Sequence, residues 1–400
     1  MRKNAQSIRE EHCASLRNIV QYCNTMLSFI PTLELEKELK RLEGLLTEEY
    51  KESELLTTEE IDYIEQQALI SNVGASTRIE NAILTNSEIE WINSVLKKDG
   101  KTTAFDEKKD FIINKLSKDK ERSIEEVIGC REVLIIIGSQ YKELFPLTES
   151  KIKGLHNDLL KHYEKAAYHR GNYKKTPNNV IWKNHETGEK KEVLNPTPPG
   201  TLTESAMRDL VEWYNQTINK HPHPILVATE FNFRFLAIHP FQDGNGRLGR
   251  ALFILALLQS QDKYLPTVVK KIAIDRNIEK RKGEYYLTLH KVSGGTFRPN
   301  PNEYNLELLA WYFIKVIEDA LKDIEFYKTK CRNLKELSEV SMKILNAFQS
   351  NPGKRLQIQE LEKETSLNRR TIQYSLKALT EKKFLQRAGK GGGSRYQLAF

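Results

Sequence analysis

Apolar residues recur every three or four positions through most of the first 140 residues, as in LEKELKRLEGLL (35–46) and EEIDYIEQQALI (59–70), with few Gly or Pro between them. That period matches the turn of an α-helix and predicts a helical N-terminal region. Residues 114–150 continue with the apolar helix EVIGCREVLIIIGSQY, ended at FPLT, and KIKGLHNDLLKHYEKAA opens another. The pattern changes at Gly171. From there to Gly200 turn formers dominate, and VIWKNHETGEKKEVL (180–194) sets two short apolar-bearing segments around a Glu-Thr-Gly-Glu turn, which predicts a β-hairpin. Pro196, Pro198, Pro199 and Gly200 close it, and helical spacing resumes over 203–219 with Thr203 or Ser205 as the expected cap. The segments ATEFNFRFLAI (228–238) and ALFILALLQS (251–260) predict two buried helices.

The last 60 residues follow a different plan: helix SEVSMKILNAFQS, short strand RLQ (355–357), helix IQELEKETS, turn, helix RRTIQYSLKALTEKK, then FLQRAGKGGGSRYQL as two strands about a Gly-rich tip. That order is the order of a winged helix-turn-helix. The expected architecture is therefore mainly α, with residues 1–110 as an N-terminal helical region, 111–330 as a core and 338–400 as the C-terminal module.

Composition places the 400-residue chain among ordinary globular proteins, with 39% hydrophobic and 29% charged residues. The longest apolar runs, Val133–Ile137 and Ala251–Leu258, fall far short of the roughly 20 residues that span a bilayer. Glu10 and Glu11 interrupt the start where a secretory leader needs an apolar core, so a cytoplasmic location is expected. Cys13, Cys23, Cys130 and Cys331 form no CxxC pair and predict neither a disulfide framework nor a zinc ribbon. Charge is more informative. Residues 341–400 hold twelve Lys or Arg against four Glu, which accounts for the whole net charge of +8; the other 340 residues are balanced. A basic module on a neutral body points to a polyanion partner for the module alone. Asn368 is expected to cap the third helix, with Arg369, Arg370, Thr371, Gln373 and Tyr374 facing outward, and Lys390 and Arg395 on the wing are expected to lie along DNA phosphates. Protein docking or homodimerisation is the alternative use of such a module.

The chemistry is concentrated between the two buried helices, in HPFQDGNGRLGR (239–250). Gly244 and Gly246 flank Asn245 where the N–H groups that open a new helix have no intrahelical partner, which makes an anion pocket. Arg247 and Arg250, three apart, add guanidinium forks suited to phosphate oxygens. Asp243 can hold a magnesium ion bridging phosphates. His239, close to neutral near pH 7, can take a proton from an incoming hydroxyl. These are parts for attack on a nucleotide phosphate, although the chain has neither a GxxxxGK[ST] loop nor a GxGxxG fingerprint.

HPFQDGNGRLGR resembles the Fic signature HPFx[DE]GNGRxxR at every fixed position. The likeness extends over roughly residues 55–320 through LTESKIKGLHNDLL (147–160), the hairpin after GNYKKTPNNV, and GEYYLTL (283–289). The resemblance implies a Fic-type helical bundle with a β-hairpin flap, and a nucleotidyltransferase that moves AMP from ATP to a protein hydroxyl with magnesium present. It implies His239 as general base and Asp243 as metal ligand. It further implies Gly244, Asn245, Gly246, Arg247, Leu248, Gly249 and Arg250 around the phosphates, and Tyr285 and Tyr286 near the adenine. The flap Asn179, Val180, Ile181, Trp182 and Lys183 would align a target segment by strand addition. Lys174 and Lys175 stand where relatives often carry Arg, a departure that bears on how the flap is anchored. STRIEN (76–81) resembles the family's inhibitory motif [ST]xxxE[GN], with Ser76, Glu80 and Asn81 at its fixed positions; a carboxylate competing for Arg250 would keep ATP unproductive. Two other readings keep the same residues: a DNA-bound regulator whose pocket senses ATP, and a transferase with another phosphate-containing donor.

Overall fold

A computed structural model of the chain describes residues 27–98, 101–183, 190–389 and 393–399. In chain order the elements begin with α1 (Leu33–Ser53), α2 (Thr58–Ile79) and α3 (Asn86–Leu96). A small hairpin, β1 (Lys97–Lys98) and β2 (Lys101–Thr102), precedes α4 (Phe105–Leu116), α5 (Glu121–Gln140) and α6 (Glu149–Leu159). Strands β3 (Val180–Lys183) and β4 (Lys190–Leu194) follow, then α7 (Thr201–Thr217), α8 (Pro224–Ile238), α9 (Asn245–Gln259), α10 (Leu265–Val269), α11 (Ile274–Lys280), α12 (Lys282–Ser293) and α13 (Glu307–Lys335). The chain closes with α14 (Glu339–Gln349), α15 (Ile358–Thr365), α16 (Arg369–Glu381), β5 (Leu385–Ala388) and β6 (Arg395–Leu398). The mainly helical class is borne out. Among the described residues no helix is long and apolar enough to cross a membrane.

The chain divides into two compact units, one formed by residues up to Glu54, Glu132–Lys270 and Asn277–Asp319, the other by Leu55–Arg131, Lys271–Arg276 and Ala320 onward. The first unit is built on α8 and α9. All but one residue of α8 is buried, and so is every residue of α9 except Gly246. A helix apolar on every side has to be wrapped by others. Phe253 of α9 stacks on Phe313 at 4.1 Å, and Phe231 of α8 stacks on Tyr214 of α7 at 4.3 Å. The amphipathic α1 contributes one stripe, Leu35, Leu39, Leu42 and Leu46. The two helices approach tightly at Gly249, where a Cβ would lie 3.0 Å from Leu236 Cδ2 and 3.3 Å from Phe235 Cδ1.

In the second unit α2 is opened by a capping box, Thr57 with Glu60, and α3 by another, Thr85 with Glu88. Gly74 on α2 is required by crowding, since a Cβ there would stand 2.3 Å from Asn86 Oδ1. Residues 338–399 carry their own apolar core, including Ile344, Phe348, Leu361, Ile372, Leu376 and Phe384. Asn368 caps α16 through its bond from the Thr371 N–H, as its position in the sequence led us to expect.

Three local expectations are corrected. The expected strand 355–357 contracts to one bridge, Leu356 with Tyr396. Neither Thr203 nor Ser205 caps α7: Gly200 holds that place at φ 96°, and the Thr203 hydroxyl is instead bonded to Pro198 O. The N-terminal region is not uniformly helical, because β1 pairs with β2 antiparallel, Lys97 opposite Thr102 and Lys98 opposite Lys101. Residues 1–26, with Cys13 and Cys23, and the hairpin tip 184–189 lie outside the described residues.

Gly249→Val should push α8 from α9 and cost about 1–3 kcal/mol. A thermal melt unchanged from wild type would refute the close approach.

Candidate active site

Helix α8 ends because His239 takes the left-handed conformation, φ 51° and ψ 58°, while its N–H still reaches Phe235 O at 2.9 Å. Gly244, again left-handed at φ 79°, opens α9. Only residues 239–244 lie between the helices, so the second half of the signature is the first turn and a half of α9. The connecting loop is clamped by Asn245, whose Oδ1 accepts from Phe241 N at 2.9 Å and whose Nδ2 donates to Phe241 O at 2.7 Å. Asn245 thus shapes the loop with its side chain. His239 Nδ1 lies 3.3 Å from Leu236 O; since a carbonyl only accepts, this bond puts the proton on Nδ1 and the basic lone pair on Nε2. The residue is half-buried.

The cationic side of the site is almost closed to solvent. Arg247 is 3% and Arg250 2% exposed. Arg247 Nη2 lies 3.5 Å from Asp243 Oδ1, which also accepts from Gly244 N. The Arg250 charge acts on the Tyr312 phenol, and the Tyr312 ring stands 5.7 Å from Tyr285, which is 5.5 Å from Tyr286. Arginine and tyrosines therefore share one neighbourhood. Leu248 is fully buried, and the missing side chain of Gly249 faces α8.

Sequence reasoning missed His156. Its Nδ1 accepts from Gly171 N at 2.9 Å, so its protonated Nε2 donates to Asp243 O at 2.9 Å, and its ring stacks on Phe241 at 3.8 Å. Burial holds its pKa down to about 4. The signal was present: His156 shares the buried face of α6 with Ile152, Leu155 and Leu159.

The flap approaches the same loop. Tyr173 bridges to Phe241, Thr176 Oγ1 donates to Gln242 Oε1 at 2.8 Å, and Asn178 Nδ2 donates to Phe241 O at 2.7 Å. Strand β3 pairs with β4 antiparallel, Trp182 opposite Lys191 and Lys183 opposite Lys190, with a bulge between Val180 and Ile181. Asn179 is exposed, and Ile181 is 55% exposed. Beyond β4, Asn195 N donates to Gly295 O and His290 Nδ1 meets Val193 O, which fastens the hairpin to the end of α12.

Ser76, Glu80 and Asn81 belong to the other unit, at the C-terminal end of α2. Ser76 is buried and Glu80 half-buried; Asn81 sits at φ 76°, which accounts for Asn or Gly at that place. On α16, Arg369, Arg370 and Gln373 are exposed and Tyr374 is 78% exposed; Arg395 is exposed on β6, and Lys390 lies outside the described residues.

The donor set suits a magnesium ion that takes most of its ligands from substrate and water. Asp243 presents a carboxylate 41% exposed just before the start of α9, and no group of three His, Cys, Asp or Glu placed to hold a metal ion occurs among the described residues.

A helical domain with a short loop between two buried helices, bordered by a β-flap, is the class this geometry defines. Residues 146–257 match the Fic/DOC family model, and the chain carries a Fic/DOC domain. It is 31% identical over 104 residues to "Protein adenylyltransferase fic-1" of Caenorhabditis elegans, covering 26% of this chain and 18% of that protein. It is 29% identical over 122 residues to "Protein adenylyltransferase Fic" of Drosophila willistoni, covering 29% and 22%. The chain thus spans about a fifth of the length of these curated relatives. In fold it resembles a Fic family protein from Desulfovibrio desulfuricans G20, with a TM-score of 0.52 at 19% identity over 93% of this chain and 97% of that one. It also resembles a Fic domain containing signaling protein from Bacteroides thetaiotaomicron VPI-5482, with a TM-score of 0.52 at 22% identity over 73% and 97%.

Because His156 is held neutral in the fold, the unfolded chain binds the extra proton below its ordinary pKa of 6.5. Its contribution to stability is complete above pH 6.5 and lost as pH falls toward 4, at up to about 1.4 kcal/mol per pH unit. Denaturant midpoints measured across that window should fall more steeply for wild type than for His156→Gln; parallel curves would contradict the assignment.

Proposed function

We propose that this protein is an adenylyltransferase that moves AMP from ATP to a hydroxyl of a protein. The observation that carries the reading is the short connection from His239 to Gly244, which sets a basic imidazole nitrogen at one end of a loop and an anion-binding helix start with two buried arginines at the other. Such a helix start favours negative charge through its unsatisfied N–H groups and the helix dipole. Arg247, Arg250 and the amides of Gly244 to Gly246 hold the phosphates, and Tyr285 and Tyr286 border the adenine. The target hydroxyl loses its proton to His239 Nε2 as its oxygen bonds to the α-phosphorus; the bond from that phosphorus to pyrophosphate breaks. Asp243 would hold magnesium, which when bound neutralises phosphate charge. The edge of β3, Asn179 to Lys183, receives the target backbone. Glu80, with Ser76 and Asn81, holds the enzyme in check.

ATP labelled at the α-phosphate tests this. Glu80→Gly should raise protein labelling by about tenfold or more, the size of a coupling near 1.4 kcal/mol. His239→Ala in that background should abolish it; labelling unaffected by His239→Ala would overturn the assignment of the base.

A second reading concerns the C-terminal module. Exposed Arg369, Arg370, Gln373 and Tyr374 at the start of α16 favour duplex DNA as its partner over another protein. Binding should weaken steeply as salt rises, with a slope near −0.9 per phosphate contacted, and vanish when residues from 336 onward are removed. Salt-independent binding would favour docking to protein or to a second copy.

A further inference from the structure

The flap and the histidine-bearing loop are fastened to each other through one buried cation. Lys174 is 3% exposed, yet among the described residues its ammonium group bonds neutral oxygens and not a carboxylate. Instead Nζ donates to Ile238 O at 3.2 Å and to Asn178 Oδ1 at 2.9 Å, while the backbone N–H of the same residue donates to Pro240 O at 2.8 Å. Ile238 and Pro240 are the two neighbours of His239. Helix carbonyls at a C-terminus lack intrahelical partners and carry the negative end of the dipole, so a cation there is favoured electrostatically. Ile238 O accepts a second bond from Thr197 Oγ1 at 2.9 Å, at the far end of the flap hairpin. Asn178, held by Lys174, passes the connection to Phe241 O at 2.7 Å, and Phe241 is the residue Asn245 clamps. Burial draws the Lys174 pKa down to about 8, which still leaves the group charged at neutral pH.

We propose that Lys174 is a positioning residue that sets the catalytic histidine and the target-aligning strand in one register, so that a segment docked on β3 presents its hydroxyl where His239 can take the proton. This rests on the transfer reading above. His239 stands in a left-handed conformation that a histidine adopts at some cost. Such a conformation persists where the surroundings over-determine it. Bonds to both of its neighbours from one side chain and backbone supply that constraint. An ammonium has three donors that diverge, which suits two oxygens lying in different directions better than a planar fork.

The experiment uses the full chain carrying Glu80→Gly, with labelled ATP as donor and the chain itself as acceptor. Adding Lys174→Met should lower the maximal rate of self-labelling by about tenfold and leave the KM for ATP within about twofold, because the fault lies in alignment and not in nucleotide binding. Lys174→Arg should recover at least half of the loss on a logarithmic scale. Asn178→Ala, a milder change on the surface side of the connection, should lower the rate in the same direction should Lys174→Met prove unstable. Hydrogen exchange gives a readout independent of catalysis: amides of residues 174–181 and 239–241 should exchange about tenfold faster together in Lys174→Met and in Asn178→Ala. Exchange unchanged in both segments, or a raised KM with an unchanged maximal rate, would overturn the proposal. A Glu80→Gly parent that labels nothing would defeat the transfer reading while the exchange result still decides whether Lys174 couples the two segments.

Discussion

The loop between α8 and α9 is clamped from within by one amide side chain. Asn245 bonds both the donor and the acceptor of Phe241, and with the Asn178 bond to the same carbonyl these let a six-residue segment lie between helices that are buried on almost every side. A buried backbone group left without a partner costs about 1–3 kcal/mol, so the segment has no cheap alternative conformation. Fixing Phe241 fixes the aromatic platform on which His156 stacks, and His156 in turn holds Asp243 O. The carboxylate at the mouth of the pocket is thereby oriented from behind by residues that face no solvent.

The electrostatics follow from burial. Arg247 and Arg250 retain their charge in any protein environment, and taking two guanidinium groups out of water is expensive. Asp243, at 3.5 Å from Arg247 and 41% exposed, offsets part of that cost. A polyphosphate would offset far more, with bidentate geometry that a single carboxylate does not match.

Legibility in the sequence divided along contact distance. The helices follow from apolar spacing, and the signature loop follows because His239, Asp243, Gly244, Arg247 and Arg250 are close neighbours in sequence as in space. The sequence marks His156 by its place on the apolar face of α6 and Lys174 by its departure before the flap, but not what they touch; they, Asn178 and Thr197 meet the loop across separations of 87, 64, 63 and 41 residues, and no local pattern encodes such a meeting. Thr203 misled as a cap because its hydroxyl is spent on Pro198 O, a partner set by the turn after the hairpin. Asn81 is the opposite case. Its left-handed backbone supplies the physical reason for a residue that the motif alone only named.

The flap shows why these long-range bonds matter. A lone two-stranded hairpin is marginal in water, and β3 with β4 has no third strand among the described residues. Its order has to come from its ends. At one end Tyr173, Thr176 and Asn178 bind the histidine-bearing loop; at the other Asn195 and Val193 bind the turn after α12 and His290. An edge anchored at both ends and open along Asn179 to Ile181 has the form that strand addition requires. On the proposed reading, main-chain pairing of that kind would read little of the side chains, so selectivity for a target would arise from surfaces outside the hairpin.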